Sequence, residues 1–206
     1  MKRTRLTREE SREQTRERLL DAAQTMFIRK GFIGASVEDI ALAAGYTRGA
    51  FYSNFSGKAE LFVELLRRDH EEMQAGLHAI VAAPAPREEM EASVLAYYSR
   101  LPRDNETFVL WAEAKLLATR DADFNARFGA FLNEKREELK AYIEEFSARA
   151  GTPLPMDAEI LVVGLIALCD GAQLLAMTDP QRITAPLVEQ VLAAFFSRVV
   201  FGRDPS

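Results

Sequence analysis

Apolar residues recur along the chain at the three- and four-residue spacing of helices, and no segment shows the alternation that is typical of strands. The first apolar stripe runs from Leu19 to Phe27 and stops at Gly31, a residue suited to a helix C-terminus. Residues 1–15 are polar and carry no stripe, so they are either a flexible arm or the start of this helix. The whole pattern predicts an all-α protein of about nine helices.

Two short helices follow the first one. Ser36 is placed to cap the second helix, and Asp39, three residues later, completes a capping-box spacing. Gly45 ends that helix, and Thr47 is placed to cap a third helix that reaches Ser53. Two short helices joined by a glycine-containing turn have the spacing of a helix-turn-helix unit. Phe51 and Phe55 are expected to pack in its core.

Six longer apolar patterns occupy the rest of the chain, separated by prolines and turn residues. The predicted helices cover residues 58–81, 87–101, 106–120, 122–150, 156–177 and 184–201, with ends uncertain by about two to four residues.

Charge is divided unevenly along the 206 residues, whose formal net charge is −5. Residues 1–58 hold 11 Lys and Arg against 7 Asp and Glu, a net +4, and the remainder holds 15 against 24, a net −9. A basic segment on an acidic body indicates contact with a polyanion at one end only. A solvated amphipathic first helix would give part of the same signal.

Nothing in the pattern indicates secretion or membrane insertion. The first twenty residues are charged, and the most apolar stretch, Ile160 to Cys169, is short beside the ~20 residues of a membrane span. Cys169 is the single cysteine, which suits a reducing compartment. We therefore expect a soluble cytoplasmic protein with no membrane partner.

The segment around Gly45 to Tyr52 carries the chemistry expected of a DNA reader. Gly45 permits a tight turn, and Gly49 leaves the backbone of the third helix open to close approach. Thr47 and Arg48 lie at the start of that helix, and Tyr52 follows one turn later. Lys58 adds a flanking cation. Such residues supply phosphate contacts that position a protein and base contacts that specify a sequence.

Residues from about Arg16 to Leu66 resemble the N-terminal domain of the TetR/AcrR repressors. The residues that carry the resemblance are Ala23, Phe27, Gly31, Phe32, Ser36, Ile40, Ala41, Ala44, Gly45, Thr47, Gly49, Tyr52, Phe55, Lys58 and Leu61. The resemblance implies a helix-turn-helix DNA-binding domain over residues 1–57, whose third helix enters the major groove, and a helical effector-binding and dimerisation domain over residues 58–206.

By the same resemblance, nine positions commonly contact DNA: Ser36, Tyr46, Thr47, Arg48, Gly49, Tyr52, Ser53, Asn54 and Lys58. Tyr46 and Asn54 depart from the commoner small aliphatic residue and His, so they are candidates for this protein's own sequence preference. Tyr46 is equally compatible with a partly buried position.

For the C-terminal part, the resemblance implies dimerisation through helices eight and nine. Helix eight is apolar nearly all round, so one face needs a partner chain unless the helix is wholly internal. The expected interface residues are Gly164, Ala167, Gly171, Val188, Val191 and Phe195.

An effector pocket is implied among helices four to seven. The candidate lining residues are Phe108, Trp111, Glu113, Phe124 and Phe128, with Glu113 as a polar anchor. Aromatic residues at helical spacing are also typical of core packing. His70 and His78 make a poor metal pair, and no catalytic residue, metal or cofactor is expected.

The sequence thus predicts a repressor that binds palindromic double-stranded operator DNA as a homodimer and is released by a small apolar or amphipathic effector. One alternative is a DNA-binding dimer without an effector. An all-α enzyme or carrier is a remote alternative, because no nucleophile elbow, phosphate loop or metal-spaced cluster occurs.

Overall fold

A computed structural model describes residues 7–83, 85–99, 105–151 and 153–202. These residues form nine α-helices, one short π-helix over Phe196–Val200 and no strand, which confirms the all-α prediction. The α-helices are α1 Arg8–Gly34, α2 Val37–Ala43, α3 Arg48–Tyr52, α4 Lys58–Ala82, α5 Arg87–Tyr98, α6 Asn105–Ala118, α7 Ala122–Ala150, α8 Ala158–Thr178 and α9 Ala185–Phe195. Residues 1–6 of the predicted arm, and Leu101 at the predicted end of helix five, lie outside the described residues.

Helix α1 begins before its apolar stripe because a capping box fixes its first turn. The Thr7 hydroxyl accepts a hydrogen bond from the Glu10 amide at 3.1 Å, and the Glu10 carboxylate accepts one from the Thr7 amide at 2.6 Å. Residues 8–15 are therefore helical. Gly31 interrupts the helix with a φ of 70°, a value that glycine adopts without steric cost.

The predicted caps of α2 and α3 are both present. The Ser36 hydroxyl accepts a hydrogen bond from the Asp39 amide at 3.0 Å, and the Asp39 carboxylate accepts one from the Ser36 amide at 3.1 Å. The Thr47 hydroxyl accepts a hydrogen bond from the Ala50 amide at 3.3 Å. Between the two helices, Gly45 turns the chain with a φ of 77°. These short-range contacts fix the helix-turn-helix unit.

The chain divides into two compact units. Unit 1 comprises residues 7–70 and 109–131, so it holds the helix-turn-helix and also the first half of α4 and parts of α6 and α7. Its core is rich in phenylalanine. Phe27, Phe51, Phe55, Phe62, Phe124, Phe128 and Phe131 are all almost completely buried.

Unit 2 comprises residues 71–108 and 132–202. Its core joins residues from α4, α5, α7, α8 and α9, with Leu161, Leu165 and Leu192 among the most deeply buried. Cys169 is half-buried against this core and forms no disulfide.

Helix α8 is longer than its most apolar stretch. It runs for 21 residues and is long and apolar enough, by length and composition only, to cross a membrane. The expectation that this region is too short to span is therefore wrong as a statement about length. A core helix has the same composition, and α8 buries Leu161, Val162 and Leu165 within unit 2.

Candidate functional site

Helix α3 is braced from one side. Phe51 is fully buried and Phe55 is 2% exposed, and their ring centroids lie 5.8 Å apart. The prediction that both are core residues is confirmed. Because these rings pack inside unit 1, α3 has one fixed face and one free face.

The free face of α3 consists of exposed residues. Thr47, Arg48, Gly49, Tyr52 and Ser53 are all exposed in the chain. The Ser53 hydroxyl donates to the Gly49 carbonyl at 2.9 Å, so it is engaged locally. Arg48 and Tyr52 are the large side chains of this face: the Arg48 side chain is 64% exposed and Tyr52 is 47% exposed. Ser36, the cap of α2, is also exposed.

Tyr46 and Asn54, the two positions that depart from the family pattern, are half-buried. The Asn54 side-chain amide donates to the Ala50 carbonyl at 2.8 Å, and the Asn54 carbonyl accepts a hydrogen bond from Arg16 at 3.2 Å. The Arg16 guanidinium also lies 4.4 Å from the centre of the Phe55 ring. Arg16 therefore holds the end of α3 in place, a role that its position in a polar segment of α1 did not reveal.

Lys58 is directed into unit 1. Its ammonium donates to the carbonyl of Phe32 at 2.5 Å and to that of Ala35 at 2.8 Å, and it lies 4.4 Å from the centre of the Phe32 ring. Burial lowers the pKa of Lys58, and the nearby carboxylate of Glu113 opposes that shift. Two of the three ammonium donors are thus used to hold the segment after Gly31, which comprises the last residues of α1 and the connection to α2.

Four of the five predicted effector residues belong to unit 1, where they have structural partners. The Glu113 carboxylate accepts a hydrogen bond from the Phe32 amide at 2.7 Å, and the Trp111 indole donates to Asp69 at 2.6 Å. Phe124 and Phe128 are buried, with ring centroids 5.5 Å apart. Phe108 is half-buried and belongs to unit 2.

Unit 2 contains a separate apolar cleft that the sequence did not indicate. About 420 Å³ of space, open solvent included, lies in this cleft. The lining is aliphatic and aromatic: Leu77, Val94, Tyr98, Leu139, Tyr142, Ile143, Phe146, Leu154, Leu165, Phe196, Val200 and Phe201. Burial raises the pKa of the Tyr98 hydroxyl well above its usual value, with smaller contributions from Cys169 and Tyr97. Three of these residues come from the π-helix and the residue that follows it.

Helices α8 and α9 each expose an apolar stripe. On α8 the stripe follows helical spacing through Ile160, Val163, Ala167, Gly171 and Leu174. Ile160, Val163 and Leu174 are 60%, 53% and 52% exposed. The helix is therefore not wholly internal.

The α9 stripe includes Leu187 and Val191, which are 39% and 41% exposed. Three other predicted interface positions, Val188, Phe195 and Gly164, contact residues of their own chain. Val188 is buried in the core of unit 2, and the Phe195 ring lies 3.7 Å from the place a Cβ of Gly164 would occupy. Val188, Phe195 and Gly164 thus pack α8 and α9 within unit 2.

His70 is buried beside the Phe131 ring, with centroids 5.7 Å apart, whereas His78 is exposed. Among the described residues, no group of three or more His, Cys, Asp or Glu side chains is arranged to hold a metal ion.

Two family profiles match the chain. The profile of the bacterial regulatory proteins of the tetR family matches residues 19–65, and that of the BetI-type transcriptional repressor C-terminal domain matches residues 86–200. The first covers the helix-turn-helix, and the second covers more than half of the chain.

Curated relatives agree with the profiles. The HTH-type transcriptional activator FasR of Mycolicibacterium smegmatis is 26% identical over 158 residues, which are 76% of this chain and 69% of FasR. The HTH-type transcriptional regulator TtgR of Pseudomonas putida is 45% identical over 67 residues, which are 32% of this chain and 31% of TtgR.

Solved structures share the fold. A transcriptional regulator from Rhodococcus sp. Rha1 superposes with a TM-score of 0.71 at 26% identity, over 93% of this chain and 98% of that one. A transcriptional regulator from Saccharomonospora viridis, solved in complex with choline, has a TM-score of 0.71 at 20% identity, over 90% and 96% of the two chains.

The braced α3 with its exposed outer face, in an all-α chain, defines a helix-turn-helix transcriptional regulator rather than an enzyme. The chain belongs to the TetR family of DNA-binding transcriptional regulators.

Proposed function

We propose that this regulator reads double-stranded operator DNA with the free face of α3 placed in the major groove. The observation that carries the proposal is the division of α3 into a face held by Phe51 and Phe55 and a face on which Arg48 and Tyr52 project. Arginine forms bidentate hydrogen bonds with guanine in the major groove. The proposed DNA contacts are Ser36, Tyr46, Thr47, Arg48, Gly49, Tyr52, Ser53 and Asn54, with Lys58 holding the adjoining turn.

The proposed reading unit is a homodimer formed through α8 and α9. Apolar side chains such as Ile160, Val163 and Val191 are exposed in a single chain, and contiguous exposed apolar surface marks an interaction site. Ala167 and Gly171 lie in the same stripe and let two helices approach closely. A two-fold dimer presents two copies of α3 to successive major grooves, about 34–36 Å apart, so the operator is expected to be palindromic.

The proposed effector site is the apolar cleft of unit 2. Its aliphatic and aromatic lining suits an apolar or amphipathic ligand. The aromatic rings of Tyr98, Tyr142 and Phe146 would also accept a cation such as choline, the ligand of the Saccharomonospora viridis regulator. Phe108, Trp111, Glu113, Phe124 and Phe128 would then support the fold and not line the effector site.

We infer that the protein represses transcription and that the effector releases it from DNA. The matched C-terminal profile is that of a repressor, whereas FasR is an activator, so the direction requires a direct test. An effector shifts the equilibrium towards release only if it binds the DNA-free conformation more tightly. Because the proposed partner is DNA, we also propose that the protein is cytoplasmic and that α8 serves packing and dimerisation.

Selection from a library of random DNA duplexes, long enough for two half-sites, tests DNA reading directly. The expected result is enrichment of one sequence with dyad symmetry, bound by a dimer. Transcription from a promoter carrying that sequence should fall when the protein is added and recover with a ligand of the cleft. Enrichment of no sequence would refute the proposed function.

A further inference from the structure

An exposed ion pair joins the two short helices of the helix-turn-helix unit. The Arg48 guanidinium lies 2.7 Å from a carboxylate oxygen of Glu38, and the two side chains are 64% and 58% exposed. Glu38 is in the first turn of α2, and Arg48 is the first residue of α3. The same guanidinium lies 5.4 Å from the centre of the Tyr52 ring.

The stability of the fold does not explain this pair. An ion pair so exposed to water is screened and contributes little to folding. The two helices are already fixed by the buried side chains of Ile40, Ala41 and Phe51 and by the caps at Ser36 and Thr47. The geometric result of the pair is that the Arg48 guanidinium lies between Glu38 and the Tyr52 ring.

The position of the carboxylate has two physical consequences at a DNA-reading surface. Arginine is long and has many rotamers, so an unrestrained Arg48 would settle on any nearby phosphate. Glu38 and the Tyr52 ring hold the guanidinium in one place, and the Glu38 charge repels the phosphate backbone. A repulsive contact of this kind weakens binding to every DNA sequence that offers no base contact to offset the repulsion.

We propose that Glu38 is a specificity-determining residue that acts by positioning Arg48. It directs the guanidinium towards a base edge and lowers the affinity of the protein for DNA of unrelated sequence. This inference rests on the proposed function, in which α3 reads operator DNA. Glu38 is a positioning residue, because its effect on base preference passes through Arg48 and needs no contact with a base.

The test compares the wild type with Glu38→Gln, which removes the charge and keeps the size of the side chain. The affinity for the sequence selected by the wild type and for random duplexes is measured over a series of potassium chloride concentrations. For Glu38→Gln, binding to random duplexes should become several-fold tighter. The salt slope should become steeper by about 0.9, the value for one additional phosphate contact. The ratio of specific to random affinity should fall by about ten-fold, the scale of one base contact.

Two further variants show whether Glu38 acts through Arg48. In Arg48→Ala protein, adding Glu38→Gln should tighten binding to all duplexes evenly, because a repulsive charge is removed, and should leave the base preference unchanged. Glu72→Gln makes the same change of net charge at an exposed residue of unit 2 and should leave the affinity ratio as in the wild type. A base preference that Glu38→Gln alters equally in both backgrounds would show direct reading by Glu38 and overturn the proposal.

Three other outcomes would contradict the proposed role of Glu38. An unchanged affinity ratio and salt slope in Glu38→Gln would overturn the inference while the proposed function stands, provided that the wild type still selects a sequence. A clearly lower melting temperature of Glu38→Gln would assign the pair to folding and overturn it as well. If the wild type selects no sequence, the inference fails together with the proposed function.

Discussion

The Glu113 carboxylate accepts a hydrogen bond from the amide of Phe32 at 2.7 Å, across 81 positions of the sequence. The carbonyl of the same Phe32 accepts a hydrogen bond from Lys58. Both hydrogen-bonding groups of the Phe32 backbone are thus bound by charged side chains within unit 1. The turn after Gly31, which leads into the helix-turn-helix, is fixed by α4 and α6 together.

Removal of the Glu113 carboxylate should loosen this turn. Hydrogen bonds to charged groups contribute about 1.5–3 kcal/mol, and Glu113 is half-buried, so Glu113→Ala should lower the free energy of unfolding by about 1.5 kcal/mol. Glu113→Gln keeps an acceptor and should lose less. Urea unfolding measures both. Glu106→Ala, at an exposed position of the same helix, is the control and should change the free energy by less than about 0.5 kcal/mol. Equal losses in Glu113→Ala and the control would contradict the role of the hydrogen bond.

Lys58 and Arg48 should differ in what their removal changes. Lys58→Met leaves the carbonyls of Phe32 and Ala35 without their donor and should cost about 1–3 kcal/mol of stability, with DNA affinity reduced evenly across sequences. Arg48→Ala should leave stability unchanged but alter base preference, because its side chain is exposed. Urea unfolding and duplex selection separate the two. A Lys58→Met protein of wild-type stability and weakened DNA binding would show instead that Lys58 contacts phosphate directly.

The cap of α2 should respond to acid. Hydrogen bonds from Ser36, together with Lys30, lower the pKa of Asp39 from 3.8 to about 2. A carboxyl whose pKa is lowered by folding stabilises the fold above its unfolded pKa and loses that effect as the pH falls through the folded value. The difference in melting temperature between the wild type and Asp39→Asn should therefore be constant above about pH 5 and shrink between pH 3.8 and about 2. A difference that stays the same down to pH 2 would show that the charge of Asp39 plays no part.

The exposed stripe of α8 should control dimerisation. Val163→Glu places a charge in the middle of the proposed interface, where it would be buried without a partner. Sedimentation should show a monomer, and affinity for the palindromic duplex should fall on the order of a hundred-fold because two linked reading units become one. Leu116→Glu adds the same charge at a 59% exposed position of unit 1 and should remain dimeric. Dimeric Val163→Glu protein would place the interface elsewhere.

Filling the cleft should abolish the effector response. Leu139→Trp adds volume to the lining of the cleft and should cost about 1–3 kcal/mol through overpacking. In the wild type, a ligand at a hundred times its Kd raises the free energy of unfolding by about 2.7 kcal/mol, which thermal unfolding detects. Choline and a medium-chain fatty acid are suitable probes. The variant should bind DNA, show no ligand-induced shift and remain on DNA when ligand is added. Leu116→Trp makes the same change at an exposed position and should respond normally.

The helix-turn-helix unit could be predicted because its signals are local. Ser36 and Asp39 satisfy each other across three residues, Thr47 caps α3 across three, and Gly45 adopts the positive φ that a tight turn needs. Helical periodicity likewise indicated that Phe51 and Phe55 face inwards. In each case the partner atoms are neighbours along the chain, so the sequence contains the whole interaction.

The role of the predicted effector residues could not be decided from their spacing along the chain. Trp111, Phe124 and Phe128 have a spacing that suits a pocket or a core equally well, and the choice depends on what packs against them. In the structure their neighbours are Asp69 and the phenylalanines of unit 1. Val188 and Val191, three positions apart on α9, separate into a buried and an exposed residue for the same reason.

By itself, the sequence determined the all-α fold, the local caps and the position of the short helix α3, because periodicity and capping depend on residues within one or two turns. Only the tertiary structure decided that Lys58 and Glu113 meet at one turn, that Glu38 pairs with Arg48, and that six segments of unit 2 leave an apolar cleft. These features depend on close packing between residues far apart in the chain, and no pattern of spacing records that packing.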